Sequence, residues 1–136
     1  MAQDKLLDVE IVTPQKVVFS GKAVSVSVPG SLSAFQILYN HAPIVSSLDM
    51  GIIKIVDDND SNIFYATGSG FTEVSKNKIS ILVESAYNAK ELDASVINET
   101  IKNAKENLKG NQDNSEAQNL IKLEENKLKA LEKFKK

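Results

Sequence analysis

The spacing of apolar residues changes once along this chain, near residue 86, and that change constrains the fold more than any other feature. Between Leu6 and Glu84 apolar and polar residues tend to alternate, and the run VSVSV at 24–28 predicts Val24, Val26 and Val28 on one face of a strand. After Ala86 apolar residues recur every three or four positions, which is the helical period. The sequence therefore predicts a β-domain over 1–86 and a helical segment over 87–136.

Turn residues divide the first part of the chain into short segments. All three prolines and five of the six glycines lie before residue 71. The polar cluster DDNDS at 57–61 separates the apolar runs 51–56 and 62–67, which predicts a hairpin loop. Several short strands separated by turns at this spacing are typical of a β-sandwich or a β-barrel.

The second part of the chain carries two helical patterns. A first apolar stripe consists of Ile97, Ile101, Ala104 and Leu108. Asp93 or Ser95 is the expected N-cap of this helix, and Gly110 its expected end. A second helix is expected from Ser115, with a broad apolar face that Glu124 and Lys127 interrupt: Ala117, Leu120, Ile121, Leu128, Leu131 and Phe134. Two helices joined by about five polar residues predict an antiparallel hairpin.

Composition excludes several kinds of protein. The net charge of −2 gives no electrostatic reason to expect nucleic acid. Cysteine is absent, so neither a disulfide framework nor a cysteine-based metal or redox site is possible. No stretch approaches the roughly 20 apolar residues that cross a bilayer, and no signal or transit peptide is recognisable. We therefore expect a soluble, cytoplasmic chain.

The residues suited to catalysis or metal binding are few. His41 is the only histidine, and a loop histidine that bonds a turn or meets a partner is favoured over a catalytic or metal-binding one. The run Gly68-Ser69-Gly70 favours a tight turn over a phosphate loop. The carboxylates of 57–60 lack the spacing of the helical calcium loop. We predict no catalytic residue, no metal and no cofactor.

All sixteen basic residues are lysines, and several of them lie on the last helix. Arginine, whose planar fork commonly grips phosphates and carboxylates, is absent. The C-terminal lysines are either a solvated helix face or a docking face for an acidic partner, and the residues alone leave both interpretations open.

One family carries a similar order of motifs. The chain reads PGSLSAFQILYNHAP at 29–43, LDMG at 48–51 and GSGF at 68–71. Further matches are VEIVTP at 9–14, KISILVE at 78–84 and Leu92-Asp93 before the helices. Over nearly its whole length the sequence resembles the epsilon subunits of bacterial and chloroplast F-type ATP synthases.

This resemblance implies a β-sandwich of about ten short strands followed by a helical hairpin. It also implies a non-catalytic subunit of the central stalk that sits against the gamma subunit and the membrane ring of c subunits. The implied rotor contacts are Phe35, Ile37, Leu38, Tyr39, Asn40, His41, Ala42 and Pro43. Where the family often has two glycines and an acidic residue, this chain has Ser33, Gln36 and Ala34, so a more apolar contact is expected.

The resemblance further implies a regulatory hairpin. In many members the hairpin extends into the catalytic head and blocks ATP hydrolysis, with basic residues facing an acidic loop of the catalytic beta subunit. The corresponding lysines here are Lys122, Lys127, Lys129 and Lys133. Some members also bind ATP through a motif that reads Leu92, Asp93 and, in place of its arginine, Val96 in this chain, so ATP binding is not expected.

The resemblance implies a peripheral location on the cytoplasmic face of the bacterial plasma membrane. Two other classes of protein are left open. One is an enzyme on a small β-sandwich, which would need a cluster of polar residues. The other is a free-standing adaptor or chaperone that binds through the helical hairpin.

Overall fold

The structure is a computed structural model that describes residues 5–111 and 113–136. Within these residues the strands are β1 (Leu7–Val12), β2 (Val17–Val28), β3 (Phe35–Leu38), β4 (Ile44–Leu48), β5 (Gly51–Asp57), β6 (Asn62–Thr67), β7 (Gly70–Ser75), β8 (Lys78–Val83) and β9 (Ala86–Asn88). A 3₁₀ turn, Ala89–Glu91, then leads to the helices α1 (Ala94–Gly110) and α2 (Ser115–Lys135). The predicted order of a β-domain followed by two helices is confirmed.

The strands form a continuous hydrogen-bonded sheet that folds over on itself. Their order is β4-β7-β8-β1-β2-β5-β6-β9, and β3 also pairs with β2. Strands from both ends of this order contribute to a single core cluster, so the sheet closes into two layers. The core residues with no more than 2% exposure include Leu7, Val9, Ile11, Val26, Val28, Ile37, Ile53, Ile55, Val74, Ile79 and Ile81. The predicted β-sandwich is confirmed.

Strand β2 belongs to both layers. Its first half pairs with β1, and its second half, from Ser25, lies between β3 and β5. The register against β5 shifts between Ala23 and Ser25, which is the signature of a bulge. Ala23 is therefore buried while Val24 is only half-buried, and the prediction that Val24 lines the core together with Val26 and Val28 is wrong. The extra residue at the bulge moves Val24 off that face.

The acidic loop between β5 and β6 is a solvent-exposed hairpin turn, as predicted. The side chain of Asp57 accepts hydrogen bonds from the backbone N–H groups of Asn59 and Ser61, both at 2.9 Å. Asp60 has a φ of 60°, a left-handed conformation that aspartate tolerates better than most residues. The carboxylate of Asp57 thus holds the turn together, which is the ordinary role of such a residue in a loop.

Helix α1 begins and ends where the sequence predicts, and α2 begins at the predicted Ser115. Asp93 caps α1 by accepting from the backbone N–H of Ser95, and Asn114 caps α2 by accepting from that of Ala117. The predicted stripe of α1 is confirmed, because Ile97, Ile101 and Ala104 are buried. No helix among the described residues is long and apolar enough to span a membrane.

Helix α2 packs both against α1 and against the outer face of β5 and β6. Ala130 is fully buried there, beside Phe64, Ala66 and Ala89. The predicted apolar face of α2 is only partly right, because Leu120 and Phe134 are 39% and 44% exposed. The polar side chains of Glu124 and Asn126 occupy part of the buried face instead.

Candidate functional site

The loop at 39–43 joins β3 to β4 and has a defined shape. The backbone N–H of His41 donates to the carbonyl of Leu38 at 3.0 Å, which closes a tight turn. Asn40 has a φ of 64°, a conformation that asparagine adopts more readily than most residues. Pro43 then fixes the chain as it enters β4. The turn, the asparagine and the proline each restrict the conformations that the loop can adopt.

His41 stabilises this loop. Its Nδ1 lies 2.7 Å from the carbonyl oxygen of Ala42, and because a carbonyl only accepts, Nδ1 carries the proton. The imidazole ring is 6.3 Å from the ring of Phe35. Among the described residues no group of three or more histidine and carboxylate side chains could hold a metal ion. The surroundings of His41 fit a loop-bonding histidine.

The predicted rotor-contact residues fall into two sets in the structure. Ile37 is fully buried in the core, because β3 alternates and this residue points inward, so it supports the loop without reaching the surface. Phe35 is half-buried against the same core. The remaining predicted contacts reach solvent wholly or in part: Leu38, Tyr39, Asn40, His41, Ala42 and Pro43.

Two further apolar residues extend the exposed set beyond Pro43. Ile44 and Val45 open β4 and are 36% and 69% exposed. Sequence reasoning misses them because two adjacent apolar residues at a strand start look like core. The available signal is that β4 reads IVSSL, which cannot bury both Ile44 and Val45 on one face.

The contact between α2 and the sandwich has a polar and an apolar part: Asn126 and Lys127 make polar contacts, and Ala130 packs in an apolar cluster. We call the residues Glu124, Asn126, Lys127 and Ala130 the docking seam. Asn126 donates through Nδ2 to the carbonyl of Gly51 at 2.8 Å and, at 3.5 Å, to that of Thr67. These carbonyls belong to residues paired across β5 and β6. Where α2 covers the end of the β5–β6 pair, Asn126 therefore supplies the donor that these two carbonyls would otherwise lack.

Lys127 is engaged in the docking seam, unlike the other three predicted inhibitory lysines. Its Nζ lies 2.6 Å from a carboxylate oxygen of Glu124 and 4.1 Å from the centre of the Tyr87 ring. Ion pairing and cation–π contact both stabilise a lysine that is taken out of water. Lys122, Lys129 and Lys133 are exposed on α2. The four lysines thus divide into one held by the sandwich and three that face solvent.

The segment that the resemblance aligns with an ATP-binding motif forms the N-terminal cap of α1. Asp93 accepts from the hydroxyl of Ser95 at 2.7 Å and from its backbone N–H at 2.9 Å. These hydrogen bonds to the carboxylate lower the pKa of Asp93. Val96 is 59% exposed on the first turn of α1. The carboxylate of Asp93 thus caps the start of α1, and Val96 presents an aliphatic side chain to solvent.

These features define a class of protein: a β-sandwich with a shaped surface loop and a C-terminal helical pair docked on its outer face. The sequence profile of the ATP synthase Delta/Epsilon chain β-sandwich domain matches residues 6–89. The chain belongs to this family, as an epsilon chain of an F-type ATP synthase, which is a non-catalytic subunit of the complex.

Curated relatives carry the same name. The chain is 34% identical to the ATP synthase epsilon chain of Magnetococcus marinus over 110 residues, which cover 81% of this chain and 80% of the relative. It is 37% identical to that of Pelotomaculum thermopropionicum over 77% of this chain and 78% of the relative. It is also 37% identical to the chloroplast epsilon chain of Tetradesmus obliquus, over 81% and 77%.

Solved structures share the fold. A chain of the Euglena gracilis mitochondrial ATP synthase structure, which contains OSCP, F1 and the c-ring, superposes with a TM-score of 0.70. It is 15% identical, and the match covers 94% of this chain and 78% of that one. A chain from the central stalk and c-ring of the Tetrahymena thermophila enzyme superposes with a TM-score of 0.52 at 22% identity, over 62% and 68%. At these identities the likeness establishes the fold.

Proposed function

We propose that this chain is a rotor subunit that links the gamma subunit to the ring of c subunits, and that the 39–43 loop with its flanking residues is a contact. The observation that carries this proposal is a loop that is exposed and apolar at Leu38 and Tyr39 yet fixed by hydrogen bonds at Asn40 and His41. Solved chains with this fold come from assemblies that contain a c-ring.

A fixed loop is well suited to such a contact. Immobilising a flexible side chain or loop on binding costs free energy, and a loop already held in its bound shape avoids most of that cost. Aromatic residues such as Tyr39 often dominate the energetics of protein interfaces. Exposed Ile44 and Val45 lie next in the chain and would widen the apolar contact.

Replacing Tyr39 by alanine should weaken association with a purified complex of gamma and c subunits by at least tenfold. Truncating a central aromatic anchor commonly costs about 2 kcal/mol, which corresponds to a factor near thirty. Binding of the full chain can be measured by surface-immobilised titration. Val96→Ala is the matched control, because Val96 is an exposed apolar residue on α1. If the wild-type chain binds neither subunit, the alternative of a free-standing adaptor that uses its hairpin takes the place of this proposal.

We further propose that residues 87–136 are a regulatory unit that restrains ATP hydrolysis by contacting the catalytic beta subunit. This proposal rests on the docking seam: one amide, one cation–π contact and one buried alanine join α2 to the sandwich, and each of these contacts can break without disturbing the core cluster of the strands. Lys122, Lys129 and Lys133 are exposed in the docked state, and release of α2 would free Lys127 from the Tyr87 ring.

Changing Lys122, Lys129 and Lys133 to glutamine should raise ATP hydrolysis by the assembled complex several-fold while leaving assembly intact. Exposed ion pairs are individually weak, at about 0–1 kcal/mol, but several that face one acidic loop add to a few. A matched control is the triple change Lys102→Gln, Lys105→Gln and Lys109→Gln on exposed positions of α1. Equal hydrolysis by both triple variants at low salt would show that the charge of α2 has no special role.

The proposed function also concerns nucleotide binding and the location of the chain. The chain acts without bound ATP, since Asp93 is committed to capping α1 and Val96 supplies no phosphate donor. We place it on the cytoplasmic face of the plasma membrane as a peripheral part of the complex.

A further inference from the structure

Two asparagines that are far apart in the sequence are hydrogen-bonded to each other. The backbone N–H of Asn40 donates to Oδ1 of Asn77 at 2.6 Å, and Nδ2 of Asn77 donates to Oδ1 of Asn40 at 3.2 Å. The two residues are 37 positions apart, on the 39–43 loop and on the turn between β7 and β8. We call this pair of hydrogen bonds the asparagine clasp.

Both partners have an unusual backbone that suits asparagine. Asn40 and Asn77 each have a φ of 64°, and Lys76 beside Asn77 has a φ of 52°. Asparagine is enriched in this left-handed region, where a residue with a branched side chain would be strained. Each position therefore accepts asparagine or glycine for its backbone, while the clasp requires the asparagine side chain.

The two ends of the clasp are anchored differently. The backbone of Asn77 is anchored to the sheet. Its carbonyl accepts from the backbone N–H of Asp8 at 2.9 Å, at the point where β1 and β8 start their parallel pairing. Asn40 lies in an exposed loop with a single closing turn bond, from His41 to Leu38. The turn at Asn77 is thus the rigid side, and the 39–43 loop is the side that the clasp orders.

We propose that Asn77 is a positioning residue for rotor contact: through Asn40 it holds the 39–43 loop in the shape that its partner recognises. This inference rests on the proposed function of that loop. Asn77 itself need not touch the partner. Without its side chain, the N–H of Asn40 would turn to water, and the loop would have to be ordered again at the moment of binding.

Glycine substitutions separate the clasp from the backbone conformation. Asn77→Gly removes both hydrogen bonds of the clasp and Asn40→Gly removes only the one to its side chain, and both keep a residue that adopts positive φ freely. Asn77→Gly should weaken binding to the gamma–c assembly by about five- to tenfold, the loss expected for two hydrogen bonds of modest net strength, and Asn40→Gly should weaken it less. Lys76→Gly is the matched control, since it changes a left-handed residue in the same turn and leaves the clasp intact.

The double variant tests whether Asn77 acts through Asn40. If it does, Asn40→Gly combined with Asn77→Gly should bind no more weakly than Asn77→Gly alone, because Asn77→Gly already removes both hydrogen bonds of the clasp. Asn77→Asp should recover part of the affinity, since its carboxylate still accepts from the N–H of Asn40. Additive losses, or unchanged affinity in Asn77→Gly, would overturn the inference.

Hydrogen exchange on the isolated chain gives a readout independent of the rotor. The amide of Asn40 should exchange about tenfold faster in Asn77→Gly, with exchange in the β1 and β8 core unchanged. Unaltered exchange at Asn40 would refute the positioning role whatever the binding data show. Faster exchange in a chain whose wild type fails to bind gamma and c would refute the proposed function and leave the clasp standing.

Discussion

With Ala130 replaced by glutamate, the helical hairpin should leave the sandwich while the sandwich itself stays folded. Ala130 is fully buried against Phe64, Ala66 and Ala89, so a longer charged side chain must enter an apolar contact without a partner. Overpacking costs about 1–3 kcal/mol and burial of an unpaired charge costs more, so together they exceed what the hydrogen bonds of the docking seam contribute. The core strands keep their own cluster, to which Ala130 does not belong.

Amide hydrogen exchange resolved along the chain is the measurement. Protection should fall by at least about a hundredfold throughout α2 and stay close to wild type in β1, β5 and β8. Lys129→Glu is the control, because it adds a negative charge one residue away on the exposed face. If α2 in Ala130→Glu remains as protected as in that control, the seam is not what holds the hairpin. Under the proposed function, complexes carrying Ala130→Glu should also hydrolyse ATP more slowly.

Replacing Gly70 by alanine should destabilise the sandwich by at least about 3 kcal/mol, a loss typical of strongly destabilising core substitutions. A Cβ on Gly70 would overlap the carbonyl oxygen of Leu82, and that oxygen belongs to the neighbouring strand. Backbone cannot move aside as a flexible side chain can, so the pairing of β7 with β8 must open. Thermal or urea unfolding of the full chain measures the loss.

Gly110→Ala provides the comparison for that variant. Gly110 is the last residue of α1, and a Cβ at this position would have no described atom within 4 Å beyond its own helix backbone and chain neighbours. Alanine has the higher helix propensity, so the change should be neutral or stabilising by up to about 1 kcal/mol. Similar melting temperatures for the two variants would show that the close approach at Gly70 can relax.

Much of the fold is readable from local patterns. The period of two identifies strands, the DDNDS cluster identifies the β5–β6 turn, and of the two predicted N-caps, Asp93 and Ser95, the structure has Asp93. These features depend on residues within a few positions of one another, so the local sequence is enough to predict them. The bulge that displaces Val24 cannot be read in this way, because it arises from pairing with a distant strand.

The docking seam and the asparagine clasp are beyond sequence reasoning for a related physical reason. Asn126 bonds the carbonyls of Gly51 and Thr67, which lie 75 and 59 positions away. Backbone carbonyls carry no sequence signal, since every residue has one. The contact of Lys127 with the Tyr87 ring is equally non-local, whereas its ion pair with Glu124, three residues earlier on the same helix, is a local one. Polar residues on a predicted apolar face are the available sign that this face meets exposed backbone.

The parallel pairing of β1 with β8 has a consequence for how the protein is made. Asp8 pairs with Lys78, although the other strand pairs of the described sheet are antiparallel and mostly join neighbours. On a ribosome β1 is synthesised early, yet one of its two edges stays open until β8 has emerged. Long-range pairing of this kind slows folding and leaves an exposed strand edge in the meantime. Nascent chains in which β8 is still inside the exit tunnel would be the ones that need a chaperone's protection.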